Sequence, residues 1–411
     1  MYFVLMIVFY GVIFVTTDAA TKTDYYNLYN ATFSDYNPYI RPVDIDTLAT
    51  KISTSFRLVS IEELKEKDQV LVSFGYLTLE WHDDFLAWDM NSYGGIDTLV
   101  VPQNEIWTPD LVVGNSNEKR SKSKMGFDTM PIRLNTDGTV LWTPSILFQT
   151  SCDINVKYYP FDQQVCTITL ETMVSDLTEI DLIVSNYSLS SGDMTFEYGP
   201  NGEWELVSIE IAKKDEVTKA GIHINLTINR RTTFYVMNII VPVVSLALLL
   251  STVFALPADS GEKIGLAVTI LLGYILFLSI LSSEMPQTSL QVSVLAVYIS
   301  LLVFSSALSV VLSIVILRIY HKKPSHVVPR VIKRIVRWRS VFNRRTPKQN
   351  NISPVDDTPT RAAYVRDDDD IDATRVTWQE VSESLDVFCF WVYLILSTLF
   401  TVICLSIIMV K

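Results

Sequence analysis

The 411-residue chain reads as an extracellular all-β, immunoglobulin-like sandwich followed by a four-helix transmembrane bundle. Three observations predict this. Short apolar runs that alternate with polar residues, broken by Gly, Pro, Asn and Asp, fill residues 50–230. Four apolar stretches, at 234–256, 263–283, 293–316 and 388–410, each exceed the roughly 20 residues needed to cross ~30 Å of hydrocarbon. A composition of 49% apolar and 19% charged residues, with a mean hydropathy of +0.28, is too oily for an ordinary soluble protein and too charged for a membrane bundle alone.

Residues 2–15 are an apolar run ending near the small residues Ala19 and Ala20, so 1–20 is predicted to be a cleaved signal peptide. Sequons at Asn30, Asn186 and Asn225 mark candidate glycosylation sites of an exported segment. Orientation follows from charge. Arg318 to Lys348 carries eleven Lys or Arg and no acid directly after the third span, which makes that loop cytoplasmic and leaves residues 21–233 outside. Those residues hold 31 acids against 17 bases, a net of −14 within a total of −12, and an acidic vestibule of this kind concentrates cations.

Within the sandwich, Val70–Phe74, Leu77–Leu79 and Ile222–Ile228 read as strands, and Asn135-Thr-Asp-Gly138 as a hairpin turn, because Asp-Gly tolerates positive φ. Cys152 and Cys166 lie outside and could pair across a short loop as a structural staple, whereas Cys389 and Cys404 fall inside the fourth span. The four histidines, at 82, 223, 321 and 326, show no metal-ligand spacing, and no nucleotide-binding loop appears. No cofactor is expected, and no catalytic constellation points to an enzyme. His82-Asp83-Asp84 reads as a solvated turn or strand edge, with side chains alternating between faces.

The second span is the only one with small and polar residues on a helical stripe: Gly265, Thr269, Leu272, Leu276, Ser279 and Ser283, spaced four, three, four, three, four. Such a stripe suits either a helix–helix interface or a wettable pore wall. Asp259 and Glu262 precede it and Glu284 follows it, and acids bracketing the stripe at both ends favour the pore. One helix cannot enclose a pore, so several copies around an axis are required. The cytoplasmic loop 317–387 opens with a basic amphipathic stretch, 328–338, suited to anionic membrane lipids rather than nucleic acid. It continues into a Pro-, Asn- and Asp-rich insert, 346–372, with the composition of disorder.

The run Cys152-Asp-Ile-Asn-Val-Lys-Tyr-Tyr-Pro-Phe-Asp-Gln-Gln-Val-Cys166, with Trp107-Thr-Pro-Asp110, Asn201-Gly-Glu-Trp-Glu-Leu206, Pro242 and Leu256-Pro-Ala-Asp-Ser-Gly-Glu-Lys263, resembles the Cys-loop pentameric receptors, and within them the nicotinic-like, cation-selective branch. The resemblance covers roughly residues 40–316 and 388–410. It implies a disulfide between Cys152 and Cys166, a ring of five formed with four further subunits of the same or a related kind, and a plasma-membrane location, a postsynaptic one included. It also implies a small-molecule agonist, of unknown identity, bound between neighbouring sandwiches, and monovalent cations passing along the second spans. Ser260-Gly-Glu262 stands where anion channels of the family carry a Pro-Ala insertion, and Leu272 corresponds to the central hydrophobic gate. Coupling between sandwich and pore is assigned by the resemblance to Arg230, paired with Cys-loop acids or with Glu66, and to Pro160, Phe161 and Asp162 pressing on the loop at Pro286. The alternative for Arg230 and Arg231 is simply to anchor lipid headgroups.

At the ligand site the resemblance implies Tyr76, Gly114, Arg133, Leu141, Thr143 and Met173. Tyr76 keeps an aromatic, but Gly114 and Met173 replace a usual aromatic and tryptophan. The loop 213–221 has neither tyrosines nor paired cysteines. The aromatic cage that attracts ammonium groups is mostly missing, which argues against acetylcholine or serotonin and leaves an aliphatic pocket with an arginine on its rim. A non-conducting or regulatory subunit would keep the same fold; a four-span adhesion protein would not account for the bracketed stripe.

Overall fold

A computed structural model of the protein describes residues 20–43, 48–117, 130–184, 189–190, 198–214, 218–286, 291–323, 328–329 and 376–409. The expected signal peptide, Asn186, the basic stretch beyond 329 and the acidic insert lie outside them. The chain divides into two compact units, one built from residues through Ile154 plus Gln163–Arg231, the other from Asn155–Asp162 plus the residues from Thr232 onward.

The first unit opens with a helix absent from the sequence expectations, α1 (Lys22–Phe33). Its start is coded locally: the Thr21 side chain accepts from the Asp24 N–H while the Asp24 carboxylate accepts from the Thr21 N–H, a reciprocal cap on two orphan donors. Twelve strands follow: β1 (Thr50–Lys65), β2 (Val70–His82), β3 (Thr98–Pro102), β4 (Leu111–Val113), β5 (Pro131–Asn135), β6 (Thr139–Trp142), β7 (Ser145–Ser151), β8 (Gln163–Thr172), β9 (Ile180–Val184), β10 (Leu189–Ser190), β11 (Trp204–Lys213) and β12 (Gly221–Arg230). They form two sheets. One runs β3-β5-β6-β2-β1-β9 with β7 also on β2; the other runs β10-β11-β12-β8-β4.

Alternation explains which face each strand buries. In β12 the side chains of Ile222, Ile224, Leu226 and Ile228 are fully buried while His223, Asn225, Thr227 and Asn229 stand on the outer face. In β8, Gln164, Cys166, Ile168 and Leu170 point inward with the same period. Each such aliphatic contributes about 1.5–3 kcal/mol when removed from water, so a slip of one residue in either strand would be costly. The predicted β5–β6 hairpin is present: Gly138 has φ 83°, and its N–H donates to the Asn135 carbonyl at 3.0 Å. A Cβ there would stand 2.6 Å from the Asp83 carbonyl oxygen, so Gly is required twice over.

The second unit holds four helices long and apolar enough to cross a membrane: α2 (Thr233–Ala255), α3 (Lys263–Glu284), α4 (Val294–Tyr320) and α5 (Trp378–Met409). In α2 the turn Val236–Ile240 is π-helical and lies just ahead of Pro242. Proline removes one N–H and crowds the carbonyl four residues back, and a widened turn relieves that clash. Gly261, at φ 71°, turns the chain into α3. Helix α5 begins well ahead of the apolar run at 388, because its first turns carry Glu380, Ser382, Glu383 and Asp386, which a hydropathy window passes over. The common core joins Val243, Ala247, Phe254, Ile270, Tyr274 and Ile299, among others, with Tyr159 from the segment between the cysteines.

Candidate functional site

Helix α3 divides into two faces. It buries Lys263, Ala267, Ile270, Tyr274 and Leu281 against the bundle. Gly265, Thr269, Leu272, Leu276, Ser279 and Ser283 are all exposed, Leu272 by 61% and Leu276 by 60%. At 3.6 residues per turn the two sets lie on roughly opposite sides of the helix. The stripe therefore faces away from its own bundle, opposite the side that packs on the other described helices of the chain. Two of its hydroxyls are tied to the helix: Thr269 donates to the Gly265 carbonyl at 2.9 Å and Ser283 to that of Ile280 at 2.6 Å. Their oxygens remain as acceptors on an otherwise apolar wall.

Asp259, Glu262 and Glu284 are exposed at the two ends. A Glu262 carboxylate oxygen lies 3.9 Å from the point where a Cβ of Gly265 would stand, which puts this acid on the stripe face. Asp259 instead accepts from the Tyr320 hydroxyl of α4 at 2.8 Å. Lys263, next to Glu262, points the opposite way: it is 1% exposed and donates to the Asp386 carboxylate of α5, with the Phe254 ring 5.8 Å from its nitrogen. The adjacent charges Glu262 and Lys263 are thus separated onto the two faces of one helix.

Cys152 and Cys166 are joined, with Cα atoms 5.0 Å apart. Both cysteines sit in the sandwich, while the intervening Asn155–Asp162 belongs to the helical unit. There Tyr159 is fully buried with its ring 5.3 Å from that of Tyr235, Phe161 packs on the same core as Met285, and the Lys157 carbonyl accepts from the Val294 N–H at 3.1 Å. Pro160, Asp162 and Pro286 are buried in that unit.

At the end of β12, the Arg230 guanidinium has no exposed surface; it donates to Glu66 at 2.5 Å and to Glu203 at 3.4 Å and lies 4.3 Å over the Trp204 ring. Glu66 was expected from the resemblance, whereas Glu203 was not. The pairing makes a pure headgroup anchor untenable for Arg230; Arg231 is the exposed member of the pair. The Asn201-Gly-Glu-Trp motif shapes this corner, since the Asn201 side-chain oxygen accepts from the Glu203 and Trp204 N–H groups at 2.7 and 2.9 Å while its NH₂ donates to the Ile61 carbonyl at 2.8 Å.

The ligand-site candidates fall on two surfaces. Tyr76, Arg133, Leu141 and Thr143 share the outer face of the β1-containing sheet, with Arg133 opposite Leu141 in register. The Arg57 guanidinium already sits 4.8 Å over the Tyr76 ring. Gly114 and Met173 belong to the edge of the other sheet. A Cβ on Gly114 would meet the Glu171 carboxyl group at 2.7 Å, and Glu171 is itself paired with Lys214 at 2.7 Å. An ion pair thus occupies the space next to Gly114, and Met173 beyond it is 52% exposed. Of the sequons, Asn30 is exposed on α1, while Asn225 stands mid-strand with its side-chain oxygen accepting from Thr167 at 2.7 Å.

His82-Asp83-Asp84 departs from the solvated turn expected of it. His82 and Asp84 do pair in solvent at 2.9 Å, but Asp83 is fully buried, accepts from the Tyr36 hydroxyl at 2.7 Å and caps the following turn at Phe85 N–H. Burial pushes its carboxyl up from the usual range.

The chain thus combines a sandwich carrying a disulfide-closed loop with four helices of membrane-spanning length, the second with an outward polar stripe between acids. Residues 25–232 match the neurotransmitter-gated ion-channel ligand binding domain and residues 239–358 the neurotransmitter-gated ion-channel transmembrane region. The chain belongs to the neurotransmitter-gated ion-channel family, with the sandwich matched as its ligand-binding domain and α2–α4 within its transmembrane region. Among its relatives, the acetylcholine receptor subunit alpha-L1 of Schistocerca gregaria is 35% identical over 80% of this chain and 60% of its own length. The neuronal acetylcholine receptor subunit beta-2 of Carassius auratus is 33% identical over 72% and 64%. The human neuronal subunit beta-4 is 32% identical over 73% and 59%. The matched stretch thus spans about three fifths of the length of these relatives.

Proposed function

We propose that the chain is one subunit of a pentameric ligand-gated cation channel at a plasma membrane, with the sandwich outside and five copies of α3 around the pore. The outward stripe of α3, with the Glu262 carboxylate on the same face, carries this reading. Five Glu262 side chains at the cytoplasmic mouth form a ring in which confinement and low-dielectric walls make each carboxylate count far more than in bulk water. Rings of Leu272 and Leu276 form an apolar constriction that dewets when closed. The loop tip at Tyr159 and Phe161, packed within the helical unit yet closed at its base by a disulfide of the sandwich, supports transmission from the ligand site to the pore.

Currents from the expressed chain test the selectivity. Diluting external sodium chloride is expected to move the reversal potential to more negative voltages, as for a cation channel. Replacing Glu262 with alanine and inserting a proline before it should reverse the direction of that shift. A wild-type reversal potential that follows chloride would refute the cationic assignment.

The agonist differs from acetylcholine in this reading. The Glu171–Lys214 pair fills the space beside Gly114, Met173 offers no π-face, and Tyr76 already faces Arg57. Each cation–π contact contributes about 0.5–2 kcal/mol, so losing several lowers affinity by orders of magnitude. Titration of the purified protein with acetylcholine is expected to give no saturable binding below millimolar concentration; a micromolar isotherm would contradict this. The exposed Arg133 suits an anionic or amphipathic agonist. The same missing cage also fits a regulatory subunit whose ligand site is completed by a different neighbour, and absence of current from the chain alone, restored by a related subunit, distinguishes that case.

A further inference from the structure

Asp259 and Glu262 stand three residues apart, and in a continuous helix they would lie one turn apart on a single face. The chain prevents this. Ala258–Ser260 forms a separate 3₁₀ turn, closed by the Ser260 N–H and hydroxyl donating to the Pro257 carbonyl at 3.1 and 2.8 Å, and Gly261 then takes a left-handed conformation at φ 71°. Glu262 begins α3 on the far side of that break. Residues with a Cβ rarely adopt such a φ, so the break is written into the sequence by Gly261.

The two carboxylates consequently serve different neighbours. Glu262 lies on the stripe face, 3.9 Å from the Cβ position of Gly265. Asp259 accepts from the hydroxyl of Tyr320, the last residue of α4, at 2.8 Å. That hydroxyl is presented from a closed helix end: the Tyr320 ring stands edge to face against His321 at 5.3 Å, and the His321 N–H donates to the Leu317 carbonyl at 3.2 Å. Helix α4 shares the bundle core with the face of α3 that buries Ala267, Ile270 and Tyr274. The bond therefore draws Asp259 toward the bundle, while Glu262 stays with Gly265 and Thr269 on the opposite side.

We propose that Tyr320 is a positioning residue of the channel: its hydroxyl holds Asp259 against α4 and off the ion path, leaving Glu262 as the acid that cations meet at the cytoplasmic mouth. The proposal rests on the pore reading of α3. A fixed charge concentrates cations only over the distance that salt leaves unscreened, about 8 Å at physiological ionic strength. An exposed carboxylate tied to a neighbouring helix is screened more than one confined in a narrow ring. Without the hydroxyl, Asp259 is an unrestrained side chain on an exposed turn, and it adds a second ring of charge for outgoing cations. Tyr320 thereby sets how many acids per subunit act on the current, from a helix that does not line the pore.

The test is unitary conductance for sodium leaving the cytoplasmic side, recorded in inside-out patches from cells expressing the full chain, alone or with a related subunit where the chain alone is silent. Conductance belongs to each open channel, so a substitution that merely lowers folding yield or channel number does not move it. Glu262→Gln is expected to lower it about twofold or more, and Asp259→Asn by less than about a fifth. Tyr320→Phe keeps the ring and removes only the hydroxyl; it is expected to raise outward conductance about 1.5-fold, and adding Asp259→Asn to it should cancel that gain. A loss in Asp259→Asn as large as in Glu262→Gln, an unaltered conductance in Tyr320→Phe, or a gain that survives Asp259→Asn would each overturn the proposal and leave the pore reading standing. No effect of Glu262→Gln, or no current in either setting, would overturn the pore reading and the proposal with it.

Discussion

Replacing Asp386 with alanine is expected to destabilise the helical bundle by about 3–5 kcal/mol, because it strands the buried Lys263 ammonium without a counter-charge. The pair joins the first residue of α3 to the third turn of α5, 123 positions apart. Both side chains are almost wholly buried, at 1% and 10% exposure, so neither can turn to water when the other is removed. Asp386→Asn should cost less, since an amide oxygen can still accept from Lys263. Replacing both, as Lys263→Met with Asp386→Leu, should recover most of the loss, because well-packed apolar side chains often match or exceed a buried ion pair. Thermal unfolding of the purified protein, followed by tryptophan fluorescence, ranks the four proteins. Equal midpoints for wild type and Asp386→Ala would show that the pair is energetically idle. The prediction bears on function as well, since Lys263 is covalently next to Glu262 and its anchoring sets the rotation of the stripe.

Loss of the disulfide should be nearly as severe. Cys152→Ser or Cys166→Ser is expected to remove about 2–5 kcal/mol, the range for native disulfides of small exported domains. Both cysteines are buried, so a serine hydroxyl at either position also lacks solvent. The loop they close carries Tyr159 and Phe161, which pack within the helical unit, and opening its base would free that segment's ends. Mass spectrometry of unreduced peptides should recover 152 and 166 in one linked species, and both variants should reach the cell surface at a small fraction of the wild-type level. Free thiols at both positions, or normal surface levels of the variants, would count against this role.

The parts of the protein written in local patterns were legible. Alternation with period two and interrupting turn residues marked the sandwich, and the Asp-Gly turn at 137–138 forms as its chemistry requires. Apolar length marked the spans, and the period of the stripe with its bracketing acids marked the outward face of α3. The motif between the two cysteines carries the resemblance to the family that the matched domains show. Even α1 carries a local sign in its sequence, Thr21 and Asp24 three residues apart.

What only the tertiary structure decided are the pairings between residues far apart in the chain. Periodicity says which face a side chain occupies but not what it meets there. Asp386 falls in the stretch 317–387 whose polar composition predicts a loop, and nothing near it in sequence announces Lys263. Glu203 joins Glu66 on Arg230 through the hairpin corner set by Asn201, and Asp83 is buried because Tyr36, 47 residues earlier, folds over it. Gly114 suggested open space for a missing ring, whereas Glu171 from the neighbouring strand already fills it.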